Sequence, residues 1–183
     1  MRLEELQREV GDVLVVEWRA FMLRPEPEPR SLDSFTRYTQ RWAQIADLEP
    51  GATFRTWSGE HEPPSHSRPP LAAGAAVRAM AGPAAFSRFH LALMRAYFAD
   101  NRTISDRAVI LDVAASVGID TEDLDRRLDE DADGLEAAIV ADHRAALALG
   151  IAAVPTALVN GEHILQGALT LDQYRRVVRR LGG

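Results

Sequence analysis

Apolar residues at Leu3, Leu6 and Val10 recur at helical spacing and predict a short opening helix, closed by Gly11. The spacing then tightens. Residues 13–18 (VLVVEW) form a short, β-branched run, which predicts a buried strand. The PEPEP segment at 25–29 continues neither element, because proline fixes φ and removes a backbone donor; it reads as an extended connector. Helical spacing returns with Leu32, Phe35, Tyr38, Trp42 and Ile45, predicting one helix capped by Ser31. Pro50-Gly51, Pro63-Pro64 and Pro69-Pro70 mark a long loop. Residues 71–81 predict a helix of small side chains suited to close packing, broken by Gly82-Pro83. The helix over 84–99 places Phe86, Phe89, Leu93 and Tyr97 or Phe98 on one side. Ser105 is the expected cap of a helix ending at Gly118, and Asp120 or Thr121 opens a further short one. Asp133 and Glu136 form an Asp-x-x-Glu capping box for a helix running to Leu149 and closed by Gly150.

The period changes again near the end. Residues 156–159 and 163–166 are short β-prone runs on either side of Asn160-Gly161, a strong two-residue hairpin signal. Thr170 then caps a final amphipathic helix carrying Leu171, Tyr174, Val177, Val178 and Leu181. Strands at both ends with helices between them predict an α/β core carrying an all-helical insertion.

Composition narrows this picture. A chain of 183 residues is one domain, or one domain with an insertion, and is long enough to bury a core without staples. No apolar run approaches the ~20 residues of a membrane span. The charged opening MRLEELQREVG has no apolar stretch of the signal-peptide kind, so the expected location is cytoplasmic. A net charge of −6 argues against general nucleic-acid binding, although all 21 basic residues are Arg. Arg175, Arg176, Arg179 and Arg180 cluster in the last turns of the final helix, where cations complement the helix dipole.

The cysteine count is zero, which excludes disulfides, thiolate metal sites and cysteine nucleophiles within these residues. Other constellations fall short of chemistry. Residues 129–134 (DEDADG) copy the first half of a calcium loop, but the position needing a bidentate Glu is Val140. His61, His66, His90, His143 and His163 show no metal-ligand spacing, and no nucleophile elbow, P-loop or dinucleotide fingerprint occurs. Trp18, Phe21, Trp42 and Trp57 suit a groove between core and insertion, but aromatics at such spacing are more often core.

Three stretches carry a family resemblance. VEWRAFMLRPE (16–26) looks like a second core strand and its exit, with Ala20 where proline is usual. LMRAYFADNRTISDRAVILDVAASVGID (93–120) looks like the inserted helices, and GIAAVPTALVNGEHILQGALTLDQYRRVV (150–178) like a cis-proline strand, hairpin and final helix. Together they resemble the DsbA-like branch of thioredoxin folds, particularly the FrnE-like proteins. The resemblance implies an α/β thioredoxin-like core at 1–30 and 133–183 around a helical insertion at 31–132. It also implies a cis bond at Val154–Pro155 and a substrate-binding role for Val154, Pro155 and Thr156, where an extended peptide pairs with exposed backbone. The plainer reading of the same residues is a trans proline opening an edge strand.

The departure from the family concerns its Cys-x-x-Cys motif. Residues 2–6 resemble the middle of the helix that follows this motif, so the family's first strand and both cysteines would precede Met1. The chain is thus expected to be redox-inactive as it stands. An in-frame apolar strand followed by Cys-x-x-Cys is expected upstream; a stop codon immediately upstream would contradict it. The alternative is similarity to kappa-class glutathione transferases and 2-hydroxychromene-2-carboxylate isomerases. Those place a serine at the nucleophile position, again before Met1, and would bring glutathione as cofactor; otherwise none is expected. A third reading is a non-catalytic peptide-binding scaffold. Expected partners are a protein or peptide substrate or a small thiol, and a homodimer that completes the sheet edge, without nucleic acid or membrane.

Overall fold

Glycine and proline shape the longest helix. The helix α4 (Arg68–Phe98) bends at Gly82, whose φ of 80° and ψ of 178° lie outside helical geometry, with Pro83 next. Glycine alone tolerates that backbone, and proline cannot close the turn before it. Beyond the bend Phe86 rests against Gly74, where a Cβ would approach its ring to 3.1 Å. The computed structural model in which this is seen describes residues 2–49 and 51–182. It divides into two compact units, Met22–Asp142 and Met1–Phe21 with His143–Gly183.

The unit over 22–142 contains both apolar clusters found among the described residues. In the larger one, Ala73, Ala76, Val77, Phe89 and Leu93 of α4 pack with neighbouring helices. Those neighbours supply Ile110 and Val113 from α5 (Arg107–Ser116), Leu124 from α6 (Thr121–Glu130) and Leu135 from α7 (Ala132–Ala148). Alanine at the contact lets the backbones approach, as the small-residue pattern predicts. Arg107 joins α5 to α6: its Nε lies 2.6 Å from Asp125 Oδ1 and its Nη1 2.6 Å from Asp129 Oδ1. Asp129, the first residue of the calcium-like run, is therefore an ion-pair partner. No group of side chains among the described residues suits a metal.

The second cluster lies beside a departure from the expected elements. One helix is predicted over Leu32 to Ile45, but the structure has α2 (Leu32–Thr39) and α3 (Trp42–Leu48). Gln40 and Arg41 between them keep helical dihedrals, and the bonds there tighten to Ala43 N–Gln40 O and Gln44 N–Arg41 O. Thr39 is fully buried; its hydroxyl donates to Thr36 O (2.9 Å) and accepts from Trp57 N (2.9 Å). Phe35, Trp42 and Trp57 are buried together, bordered by Phe54, Tyr97 and Phe98. Buried Asn101 clasps the passing 55–58 segment, accepting from Ser58 N and donating to Arg55 O.

Two predicted caps are also corrected. Asp106, not Ser105, caps α5 by accepting from Ala108 N; Ser105 Oγ instead accepts from Ser65 N in the adjacent loop. The helix α7 begins at Ala132, one residue before the predicted Asp133 cap, and Glu136 pairs with Arg68 rather than closing a box. Ser31 caps α2 and Asp120 caps α6, as expected. The PEPEP connector is pinned in place: Ser67 and Arg24 exchange bonds, and Arg68 holds Pro25 O and Glu26.

In the other unit, α1 (Arg2–Val10) is followed by a 3-10 turn at Gly11–Val13. The predicted strand at 13–18 does not form. Exposure alternates from Val13 to Glu17, with Leu14 and Val16 half-buried, yet these residues join no ladder. Strand propensity makes a strand only where a partner pairs with it. The sheet described here is one hairpin, β1 (Thr156–Val159) antiparallel to β2 (His163–Gln166), with Thr156 opposite Gln166 and Leu158 opposite Ile164. Asn160 and Gly161 take positive φ as predicted, but Glu162 also belongs to the connection, one residue longer than expected. Thr170 opens α8 (Leu171–Leu181) with a full capping box.

The Thr39→Val variant should lose ~1–3 kcal/mol, because Trp57 N–H is left buried without an acceptor. Phe89→Ala in the larger cluster should lose ~3–5 kcal/mol. Chemical denaturation followed by tryptophan fluorescence checks both against Val15→Ala, a change at a residue 83% exposed that should stay within about 0.5 kcal/mol.

Candidate functional site

The segment between α7 and β1 is the most accessible stretch of main chain beside the hairpin. Gly150, with φ of 74°, turns the chain out of α7, and Ile151 is buried. Residues 152–155 are then exposed. The Val154–Pro155 peptide bond is cis. Thr156 Oγ1 donates to Ala153 O (2.7 Å), closing a small loop around Val154 and Pro155. Val154 itself is 45% exposed, and its N–H and C=O take no hydrogen bond from the described residues.

The hairpin register sets which backbone groups face outwards. Gly167 N donates to Pro155 O (2.9 Å), so Pro155 and its alternates Ala157 and Val159 turn their backbone groups toward β2. Thr156 and Leu158 turn theirs to the opposite edge, which no strand among the described residues covers. Alternation also sorts the side chains. Ala157, Val159 and Leu165 are half-buried on one face, while Leu158 and Ile164 lie side by side on the other, 41% and 39% exposed.

The leading end of α1 is tied to the chain just after β2. Arg2 Nη1 donates to Leu169 O (2.7 Å) and Ala168 O (3.3 Å), directly after Gly167. Farther along α1, Glu9 receives two bonds from Arg175 of α8, at 2.9 and 2.5 Å; Arg175 also holds Asp172 at 2.7 Å. The Arg175 bond keeps the Glu9 carboxyl below its usual range. Two helices are thereby tied together beside the hairpin.

Val154, Pro155 and Thr156 are thus brought together at an open backbone edge, with Arg2 near the end of β2. Of the other sequence candidates, Trp42 and Trp57 are buried in the aromatic cluster of the 22–142 unit. His163 is exposed on the hairpin, and the His143 ring packs edge-on to Phe21 at 4.8 Å. Missed at the sequence level were Arg2 as an anchor and Thr156 with Leu158 as the outward edge. Only the hairpin alternation signalled the latter; nothing in the pattern signalled Arg2. Chemically, the site offers main-chain donors and acceptors and an apolar face, and no thiol, since the chain contains no cysteine.

A hairpin entered through an X-Pro segment, flanked by α1 and α8 and interrupted by a helical block, defines a thioredoxin-like fold with a helical insertion. The family model of the DSBA-like thioredoxin domain matches residues 1–179, and the chain belongs to that family. Solved structures share the fold. Cytosolic disulfide reductase DsbM from Pseudomonas aeruginosa, solved with GSH, is 23% identical with a TM-score of 0.73, over 98% of this chain and 89% of that one. A "putative protein disulfide isomerase" from Nitrosomonas europaea is 15% identical with a TM-score of 0.80, over 100% and 90%. No curated protein matches.

The Glu9–Arg175 contact generates a pH prediction. A carboxyl whose folded pKa is depressed adds stability above its unfolded pKa and loses it as pH falls through the folded value. Docking of α1 on α8 should therefore loosen only below the ordinary carboxylate range, and Glu9→Gln should remove that acid dependence. Amide exchange in α1 against pH checks this; equal acid loosening in both proteins would contradict it.

Proposed function

We propose that this chain holds an extended polypeptide on Val154, Pro155 and Thr156 without exchanging a disulfide with it. One observation carries the reading: an exposed Val154 with unpaired N–H and C=O stands in a family of thiol–disulfide oxidoreductases, in a chain with no cysteine. Extended peptides bind exposed backbone edges by adding a strand, with affinity from main-chain bonds and specificity from alternate side chains. Among these residues no group can attack a disulfide, because thiolate is the nucleophile of that chemistry. These residues carry the substrate-holding half of the family's task.

A small thiol is a second occupant of the same groups, favoured by the similar DsbM having been solved with GSH. Glutathione is itself a short peptide and offers main-chain groups of the same kind. Cytoplasmic placement belongs to this proposal, supported by the similar DsbM being described as cytosolic.

Two measurements test the reading. In a dithiol-driven insulin reduction assay, the 183-residue chain should leave the rate at its buffer value; any acceleration would contradict it. In titrations with unstructured peptides and with glutathione, backbone resonances of Val154, Thr156 and Gly167 should shift. Val154→Pro, which removes an exposed donor, should weaken binding by about tenfold, the equivalent of one hydrogen bond. Binding that leaves these resonances unmoved would place the ligand elsewhere.

A further inference from the structure

Residues 65–68, which lead into α4, hold the connector at 24–28 almost residue by residue. Ser65 O accepts from Arg24 Nε (3.2 Å) and from Glu28 N (3.4 Å). Ser67 N donates to Arg24 O (2.8 Å), while its hydroxyl accepts from Arg24 N (3.1 Å). Arg68 donates to Pro25 O, pairs with Glu26 Oε1 (2.9 Å) and also reaches Glu136 of α7. The connector follows Met22, where the 22–142 unit begins, so these residues strap the start of that unit to α4.

His66 is the member of this strap whose charge changes near neutral pH. Its ring is half-buried, and Nδ1 lies 2.8 Å from Ser65 Oγ. A neutral ring accepts the hydroxyl hydrogen there; a protonated ring only donates, so the hydroxyl has to turn. The added charge matters more. It falls beside Arg68, on which the hold on Pro25 and Glu26 depends, and just before α4, where the helix dipole disfavours a cation. Glu26 opposes this, but it is already engaged by Arg68. Ser105, which reaches Ser65 N from the next segment, is uncharged. Burial, then the charge of Arg68, accordingly hold the His66 pKa below its usual value.

We propose that residues 65–68 form a pH-sensitive strap with His66 as its proton sensor. Neutral, His66 leaves the connector fastened; protonated, it loosens the hold on residues 24–28. In the open form the imidazole regains its ordinary proton affinity, so acid favours opening. The strap keeps its full strength above the ordinary histidine pKa of about 6.5 and loses it as pH falls from there through the folded value. That window lies above the carboxylate range, which separates it from protonation of Glu26. All of these groups lie within the 22–142 unit, and the proposal does not depend on peptide binding at Val154.

Amide exchange on the whole chain, expressed as protection relative to unfolded rates at each pH, tests the strap. Protection at Glu28 and Ser67 should fall severalfold between about pH 7.5 and about pH 5.5. The amide of Trp57, bonded to Thr39 in the aromatic cluster, should keep its protection. In His66→Gln, which retains a side-chain acceptor but does not titrate, protection at Glu28 and Ser67 should stay level over the same range. Constant protection in the wild type overturns the proposal, and so does an equal fall in His66→Gln. Titration of the His66 ring by NMR gives an arm that needs no variant: its midpoint should lie below the ordinary histidine value. A midpoint at or above that value overturns the proposal as well.

Discussion

Backbone donors and acceptors of a β-strand point to two sides, and among the described residues β1 has a partner on only one of them. Every feature of the candidate site follows from that asymmetry. The bond from Gly167 to Pro155 fixes which residues look inward, and the remaining groups of Thr156 and Leu158 are committed to the open edge. The same geometry leaves Leu158 and Ile164 on an exposed face and Val154 with free main-chain groups. An open edge beside apolar side chains favours addition of an extended peptide.

Stability is supplied elsewhere. The helices between residues 68 and 135 bury an apolar cluster built around alanine and a few large side chains, with Arg107 and its two aspartates tying α5 to α6. A separate aromatic group is centred on Phe35, Trp42 and Trp57. The hairpin unit has less of this among the described residues, with Leu6 and Ile151 buried; the surface ion pair Glu9–Arg175 adds to the α1–α8 contact, and exposed pairs of that kind contribute little each. A region with few buried contacts opens easily. That is a suitable property for a surface that accepts a strand.

Much of this was legible in the sequence because the signals were local. Gly82-Pro83 marks the bend in α4, Thr170 the last cap, and Asn160-Gly161 the hairpin; each depends on residues within a turn or two. The errors arose where a distant group took over a local one. Ser105 leaves its expected capping role for Ser65 N, and Glu136 leaves its own for Arg68. The run at 13–18 has strand propensity but no ladder, a matter of partners rather than of residues. At the site, Val154, Pro155 and Thr156 came from the family resemblance. The outward pairing of Thr156 and Leu158 needed the register, which no single segment encodes.

The account stands on the outer edge of β1 being open in the isolated chain. Amide hydrogen exchange, read residue by residue at high dilution, addresses that point directly. Ala157 and Val159, bonded to β2, should exchange slowly, while Thr156 and Leu158 should exchange quickly and become protected when a strand is added. Slow exchange at Thr156 and Leu158 in the dilute, unliganded chain would show that edge already covered and would contradict the account.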